Sequence, residues 1–112
     1  MSARREALLW AAQRASAALL ALCVAVHLAT MIYAVHGGLS AAKILERTRG
    51  NAAWLAFYSV FLLAVVVHAP IGLRAVLAEW FGWRGASRDW LLAAFAAALA
   101  WLGARAILGV FL

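Results

Sequence analysis

Long apolar runs, separated by short segments that hold most of the charged residues, dominate this sequence. Each run supplies about the 20 apolar residues that an α-helix needs to cross the hydrocarbon core of a bilayer. The runs are residues 15–35, 52–73 and 90–112. The pattern predicts an all-α integral membrane protein with three transmembrane helices, which we expect over about residues 13–35, 52–78 and 90–112. We expect residues 1–112 to form a single membrane domain.

Composition excludes a water-soluble fold. Hydrophobic residues make up 69% of the 112 residues, against roughly 45–50% in globular domains, and so short a chain has too little interior to bury them. Arg4 and Arg5 before an apolar run raise the alternative of a cleaved signal peptide. Arg14 interrupts that run and its continuation is too long, so we expect the segment to be retained. Cys23 is single, which excludes a disulfide within the chain.

The charged residues indicate topology rather than nucleic-acid binding. The net charge is +6, but the basic residues are divided among the ends of the apolar runs and form no single soluble face. The basic residues on the N-terminal side of the membrane are Arg4, Arg5, Arg14, Arg74, Arg84 and Arg88. Those on the other side are Lys43, Arg47 and Arg49. The positive-inside rule therefore predicts a cytoplasmic N-terminus and an outer C-terminus, with lipid headgroups around these charges.

The two connections differ in character. The first begins with Gly37 and Gly38, which stop a helix, and then offers Ser40 as the N-cap of a short interfacial helix ending at Gly50. The second, residues 79–90, carries three tryptophans and two arginines at the membrane boundary. Such tryptophans are typical belt anchors, and docking to a cytoplasmic partner is the alternative interpretation.

The third span is rich in alanine, which indicates a structural role for this helix. Gly103 and Gly109 allow close helix packing near its end. Arg105 lies close enough to the outer end for its side chain to reach the interface, which we favour over a buried functional charge.

His27 and His68 are the informative polar residues inside the spans, because ionisable groups there are rare and costly. Imidazole is a common axial ligand of haem iron, although a lone intramembrane histidine often serves only as a hydrogen-bonding group. At 1.5 Å per residue, His27 lies roughly 18 Å from the N-terminal side and His68 about 24 Å from the other side. The two histidines are thus predicted in opposite leaflets, so a second chain would have to supply the facing imidazole at each level.

The residues after His68 suit a flat cofactor. Pro70 frees a backbone carbonyl and can bend the helix, Gly72 leaves room one turn further on, and Arg74 approaches the membrane edge, where haem propionates are found. The alternatives are ordinary close packing for Gly72 and a topological charge for Arg74.

At these residues the chain resembles the cytochrome b membrane-anchor subunits of succinate dehydrogenase and fumarate reductase, which are three-helix proteins of this size. The second helix of that family carries an axial haem histidine, then a glycine and basic and acidic positions. Its first helix opens with an arginine and a serine or threonine close to the quinone. The matching residues, over about residues 10–80, are Arg14, Ser16, His68, Gly72, Arg74, Glu79 and Trp80.

The sequence departs from the family pattern at three positions. Gln13 stands where a histidine often precedes the arginine, Ala17 where a glycine usually follows, and Trp80 where a tyrosine often donates to quinone. An indole donates a hydrogen bond but takes no part in proton transfer. His27 looks like the first-helix ligand of the two-haem members. Two copies of the chain would then pair His68 with His68 and His27 with His27.

The resemblance implies a subunit that binds haem b and passes electrons between an iron–sulfur subunit and membrane quinone, in a bacterial-type cytoplasmic membrane. It implies His68 and His27 as iron ligands, with Gly72 and Arg74 beside the haem, and Arg14, Ser16 and Trp80 at the quinone. The partners implied are iron–sulfur and flavoprotein subunits and a second anchor chain, identical or different. A haem-free anchor, or a small structural or accessory membrane protein without a redox role, is the alternative.

Overall fold

The computed structural model describes residues 2–112, and within that range the chain is entirely helical apart from its connections. The helices are α1 (Ala3–His36), α2 (Ala41–Thr48), α3 (Ala52–Phe81) and α4 (Ala86–Phe111). Among the described residues, three helices, namely α1, α3 and α4, are long and apolar enough to cross a membrane. The prediction of an all-α protein with three spanning helices is confirmed.

The helices extend beyond the predicted spans. α1 begins at Ala3 rather than near residue 13, and its 34 residues correspond to about 51 Å at 1.5 Å per residue, against a hydrocarbon core of about 30 Å. Helical structure therefore continues past the apolar run, because Ser2 caps the first turn by accepting a hydrogen bond from the Arg5 backbone N–H at 3.2 Å. α4 likewise begins at Ala86, ahead of its apolar run.

α3 is the central helix of the bundle, since it packs against both α1 and α4. α1 and α3 run antiparallel: Gln13 lies beside Gly72 near one end, and His27 lies beside Tyr58 near the other. We call the end that holds the start of α1, the end of α3 and the start of α4 the N-terminal face. The opposite end, which carries α2, is the α2 face.

The interior between the helices is built from small residues. The buried apolar side chains include Cys23, Ala34, Ala64 and Ala78, whereas most leucines, valines and tryptophans point outward. Small residues let helix backbones approach closely, and outward apolar side chains meet lipid rather than water. The fold is thus apolar on its outer surface, as a membrane protein requires.

The connection before α2 matches its sequence signals. α1 ends at His36 with Gly37 as its C-cap, and the Ser40 hydroxyl accepts a hydrogen bond from the Lys43 backbone N–H at 3.2 Å, capping α2. The Lys43 ammonium also donates to the Gly37 carbonyl oxygen. These contacts hold α2 close to the end of α1, so the predicted cap at Ser40 is confirmed.

The end of α2 is tied to the end of α4. The Gly50 backbone N–H donates to the Phe111 carbonyl oxygen at 2.8 Å, and the Thr48 hydroxyl lies 2.8 Å from the Val110 carbonyl oxygen. Helix ends leave carbonyl groups without partners inside the helix. Here Gly50, just after α2, supplies a donor for one of them. The hydroxyl of Thr48, which is itself buried, is within reach of another and also of the Ile44 carbonyl of its own helix at 3.0 Å.

Gly103 lies at a tight contact between α3 and α4. A Cβ atom at this position would overlap Leu62 Cδ1, whereas a Cβ at Gly109, six residues further along α4, would meet no atom within 4 Å. The two glycines therefore form a matched pair on one helix, of which only the first is needed for packing.

We expect Gly103→Val to destabilise the bundle by about 1–3 kcal/mol, as overpacking of a tight interface does. Thermal unfolding of the detergent-solubilised protein measures the effect. Gly109→Val is the control, since it introduces the same β-branched side chain into the same helix at a position where a Cβ meets no atom within 4 Å. Equal loss of stability in both variants would contradict the packing role of Gly103.

Candidate functional site

His68 lies on the central helix with one nitrogen of its ring buried. Its Nδ1 atom is buried and has no hydrogen-bond partner among the described residues, while the residue as a whole is only half-buried. The second ring nitrogen, Nε2, forms no hydrogen bond with a described residue and is not fully buried. An imidazole with an accessible Nε2 is able to ligate an iron atom held outside the single chain.

Gly72, one turn after His68, faces α1. A Cβ atom there would lie 3.2 Å from the side-chain nitrogen of Gln13, and the Gln13 side-chain oxygen is buried without a partner. The missing side chain of Gly72 thus makes room for Gln13 at the α1–α3 contact. Gln13 occupies the position at which the sequence departs from the family's histidine.

His27 belongs to an aromatic cluster toward the α2 face. Its Nδ1 atom lies 3.3 Å from Tyr58 Oη, and its ring meets the rings of Tyr58 and Phe61 edge to face. Trp54 and Phe57 continue the cluster along α3. Beside His27 lies a small cavity of about 140 Å³, lined also by Thr30, Thr48 and Tyr58.

The two histidines lie at different levels of the bundle. The contacts of Gln13 with Gly72 and of His27 with Tyr58 share one antiparallel register, which places His68 opposite residue 17 of α1. Residue 17 is ten residues from His27, or about 15 Å along the helix at 1.5 Å per residue. That is too far for both imidazoles to ligate one iron, whose axial ligands each bond to it directly.

A cleft between α1 and α3 opens at the N-terminal face. It has a volume of about 490 Å³ and joins polar and apolar side chains from both helices. The Arg14 guanidinium lies 4.8 Å from the centre of the Trp10 ring. The lining residues include Trp10, Gln13, Arg14, Ile71, Arg74 and Glu79. We call this space the α1–α3 cleft.

The structure brings Arg14 and Arg74 together in this cleft, but Ser16 and Trp80 do not line it. The Ser16 side chain is buried, and its hydroxyl donates to the Gln13 carbonyl oxygen of its own helix at 3.1 Å. Trp80 is 78% exposed on the last turns of α3. Arg74 Nη2 lies 3.5 Å from Glu6 Oε1, which ties α3 to the start of α1.

Sequence comparison identifies the kind of membrane protein. The family model of the succinate dehydrogenase/fumarate reductase transmembrane subunit matches residues 1–105. The chain belongs to this family. Searches among curated proteins and among solved structures give no significant match. As a member, the chain is a membrane-anchoring subunit of a succinate dehydrogenase or fumarate reductase complex, and it crosses the membrane several times.

Several residues of the anchor subunit's polar regions were not singled out by sequence reasoning. Tyr58, the partner of His27, lies 31 positions away on another helix. Trp10 and Glu6 gain their contacts with Arg14 and Arg74 in the same way, through folding. The contact between Tyr58 and His27 could have been predicted, because counting residues along two antiparallel spans places both side chains at the same depth in the membrane.

Tyr58→Phe keeps the aromatic packing of the anchor subunit and removes the hydroxyl that meets His27. We expect a loss of about 0.5–1.5 kcal/mol in stability, the usual net worth of a hydrogen bond, measured by thermal unfolding in detergent. The control is Tyr33→Phe, because the Tyr33 ring packs under Arg47 and its hydroxyl bonds to no described residue. If the two variants lose the same stability, the contact contributes nothing specific.

Proposed function

We propose that this anchor subunit binds haem b through His68 and passes electrons between the iron–sulfur subunit of its complex and membrane quinone. The observation that carries the proposal is the half-buried His68 imidazole on the central helix, whose Nδ1 is buried and whose two nitrogens have no hydrogen-bond partner among the described residues. Bound haem b would supply a one-electron carrier within the membrane. His68 would hold it by its accessible nitrogen.

The haem site requires a second anchor chain. His68 and His27 are separated by about 15 Å along the bundle by helix geometry, so neither supplies the second axial ligand for the other. α3 also presents outward apolar side chains that a second chain can pack against, among them Val60, Leu63 and Val67 at 41%, 65% and 40% exposure. Such a chain would have to bring its own imidazole to the level of His68.

We propose the α1–α3 cleft as the quinone site, with Arg14 as the main contact. A guanidinium donates charge-assisted hydrogen bonds and stabilises the negative charge that develops on a carbonyl oxygen during reduction. The cleft combines this cation with the apolar surfaces of Trp10 and Ile71. Ser16 and Trp80 stay predictions, since the Ser16 hydroxyl is bonded to its own helix and Trp80 is exposed on the last turns of α3.

The N-terminal face is proposed to be cytoplasmic, where the iron–sulfur and flavoprotein subunits would dock. Six arginines lie toward the N-terminal face, against three basic residues toward the α2 face. The positive-inside rule assigns the face with more basic residues to the cytoplasm. Both the cleft and Arg74 open toward this face. A quinone there would be close to an electron donor bound on the same side.

Haem quantification of the purified complex tests the ligand assignment. We expect His68→Ala to abolish haem binding at its site, because an axial ligand is lost. His36→Ala is the matched control: the His36 ring donates to the Ile32 carbonyl oxygen at the end of α1 and has no predicted ligand role. Haem is measured as the reduced-minus-oxidised spectrum per complex.

The variant His27→Ala distinguishes between a complex that binds one haem and a complex that binds two. Loss of half the haem would support ligation at both levels, whereas one haem per complex that His27→Ala leaves unchanged would exclude His27. A colourless wild-type complex with normal flavin and iron would overturn the haem proposal and favour a haem-free anchor.

Quinone binding is tested by Arg14→Gln in the intact complex. Losing a hydrogen bond to a charged group costs about 1.5–3 kcal/mol, so we expect the KM for a soluble quinone to rise roughly tenfold or more. Electron transfer from succinate to an artificial acceptor at the soluble subunits should be unchanged.

Arg105→Gln is the matched control for this experiment. Arg105 lies 5.0 Å over the Trp101 ring, much as Arg14 lies over Trp10, but it is far along α4 from the cleft. If both variants raise the KM equally, the effect is one of general membrane packing and the cleft is not the quinone site.

A further inference from the structure

A second polar space at the N-terminal face adjoins the α1–α3 cleft, with which it shares Glu6 and Arg74. It is an open pocket of about 430 Å³ where the start of α1, the end of α3 and the start of α4 meet. Four arginines and two carboxylates line it, which leaves a formal excess of positive charge. We call it the arginine pocket, and its residues are Arg5, Glu6, Arg74, Arg84, Gly85, Arg88 and Asp89.

Arg88 forms the base of the arginine pocket. Its side chain is only 6% exposed, although it carries a charge, and its carboxylate partner Asp89 is 53% exposed. The Arg88 Nε and Nη2 atoms both donate to one oxygen, Asp89 Oδ1, at 3.3 and 3.2 Å. Nη1 has no hydrogen-bond partner among the described residues. A buried guanidinium with donors left over favours a further anionic acceptor.

Two further arginines lie free at the rim of the pocket. Arg5 and Arg84 are exposed, and neither forms an ion pair with a described residue. They come from α1 and from the α3–α4 connection, so folding brings them to one place. Together with Arg88 they present guanidinium groups from three segments toward one space. Guanidinium forks match the oxygen geometry of phosphate groups.

The surroundings of the pocket indicate a lipid rather than a soluble ligand. The indole Nε1 of Trp83 donates to the Ser87 hydroxyl at 2.8 Å, which fixes this ring against the first turn of α4. Trp80 and Trp90, nearby in the sequence, are 78% and 77% exposed. Tryptophans of this kind lie at the level of lipid headgroups. The arginine pocket is therefore at the depth where phosphate groups of the bilayer are found.

We propose that the arginine pocket binds the phosphodiester headgroup of an anionic phospholipid, with Arg88 at its base and Arg5 and Arg84 at its rim. The excess positive charge selects lipids with net negative charge over zwitterionic ones. The lipid holds the ends of the three spanning segments together by bridging their arginines. The pocket shares Glu6 and Arg74 with the α1–α3 cleft, whereas Arg5, Arg84 and Arg88 line the pocket but not the cleft.

The test uses the intact, delipidated complex titrated with phosphatidylglycerol in neutral detergent, with bound lipid counted by native mass spectrometry. We expect Arg84→Gln and Arg5→Gln each to weaken phosphatidylglycerol binding by about fivefold, the usual contribution of one basic residue near a membrane. Phosphatidylcholine binding should stay unchanged. Both residues are exposed, so the variants are expected to fold even if Arg88→Gln does not.

Arg49→Gln is the matched control, since Arg49 is an exposed arginine at the α2 face. Three outcomes would overturn the proposal. Arg84→Gln and Arg49→Gln could weaken binding equally, which would indicate non-specific attraction. Inorganic phosphate could displace the lipid at equal concentration, which would indicate a site for free anions. Arg84→Gln could instead release the soluble subunits with lipid affinity unchanged, which would make the pocket a subunit contact.

Discussion

Water is absent from the hydrocarbon core of a bilayer, so each backbone N–H and C=O group there must find its partner within the protein. The helices α1, α3 and α4 satisfy this constraint along their lengths, except where Pro70 inside α3 lacks an N–H donor, and their ends show how it is met where helical bonding stops. Ser2, Ser40 and Asn51 cap the starts of α1, α2 and α3 with side-chain oxygens. The rest of the structure depends on this backbone hydrogen bonding. Where the backbone groups bond to one another within a helix, the side chains remain available to form sites.

The central position of α3 organises the polar groups. One side of this helix meets α1, where Gln13 fills the space at Gly72, and another meets α4, where Leu62 contacts Gly103. His68 and Tyr58 lie on the same helix, at different depths. Since the α1–α3 register fixes what faces each of them, α3 determines where any cofactor or hydrogen-bonding partner is held.

Hydropathy and helix-stop signals were sufficient to predict the helices and the short α2, because the length of an apolar run and the chemistry of a cap are local properties. The separation of His27 and His68 followed from counting residues along antiparallel spans, and the contacts of the two helices agree with it. Orientation in the membrane and the roles of the site residues stay predictions.

The sequence did not predict which side chains point toward a neighbouring helix and which point toward lipid. A spanning helix is apolar on the sides that meet lipid and on the sides that meet other helices, so periodicity does not separate them. This is why the Ser16 hydroxyl, expected near a quinone, is found bonded to its own helix, and why Tyr58 was missed. Arg5, Arg84 and Arg88 were counted among the topological charges and Arg74 was expected beside the haem, because the sequence does not show that folding brings them into one pocket.

The hydrogen bonds between the end of α2 and the end of α4 have a consequence for biosynthesis. α2 emerges from the ribosome early, but the carbonyl oxygens of Val110 and Phe111, which receive its donors, belong to the last helix. The α2 face therefore stays incomplete until α4 has been inserted across the membrane. Quality control that senses unpaired polar groups at this face would recognise a chain whose final helix has failed to insert.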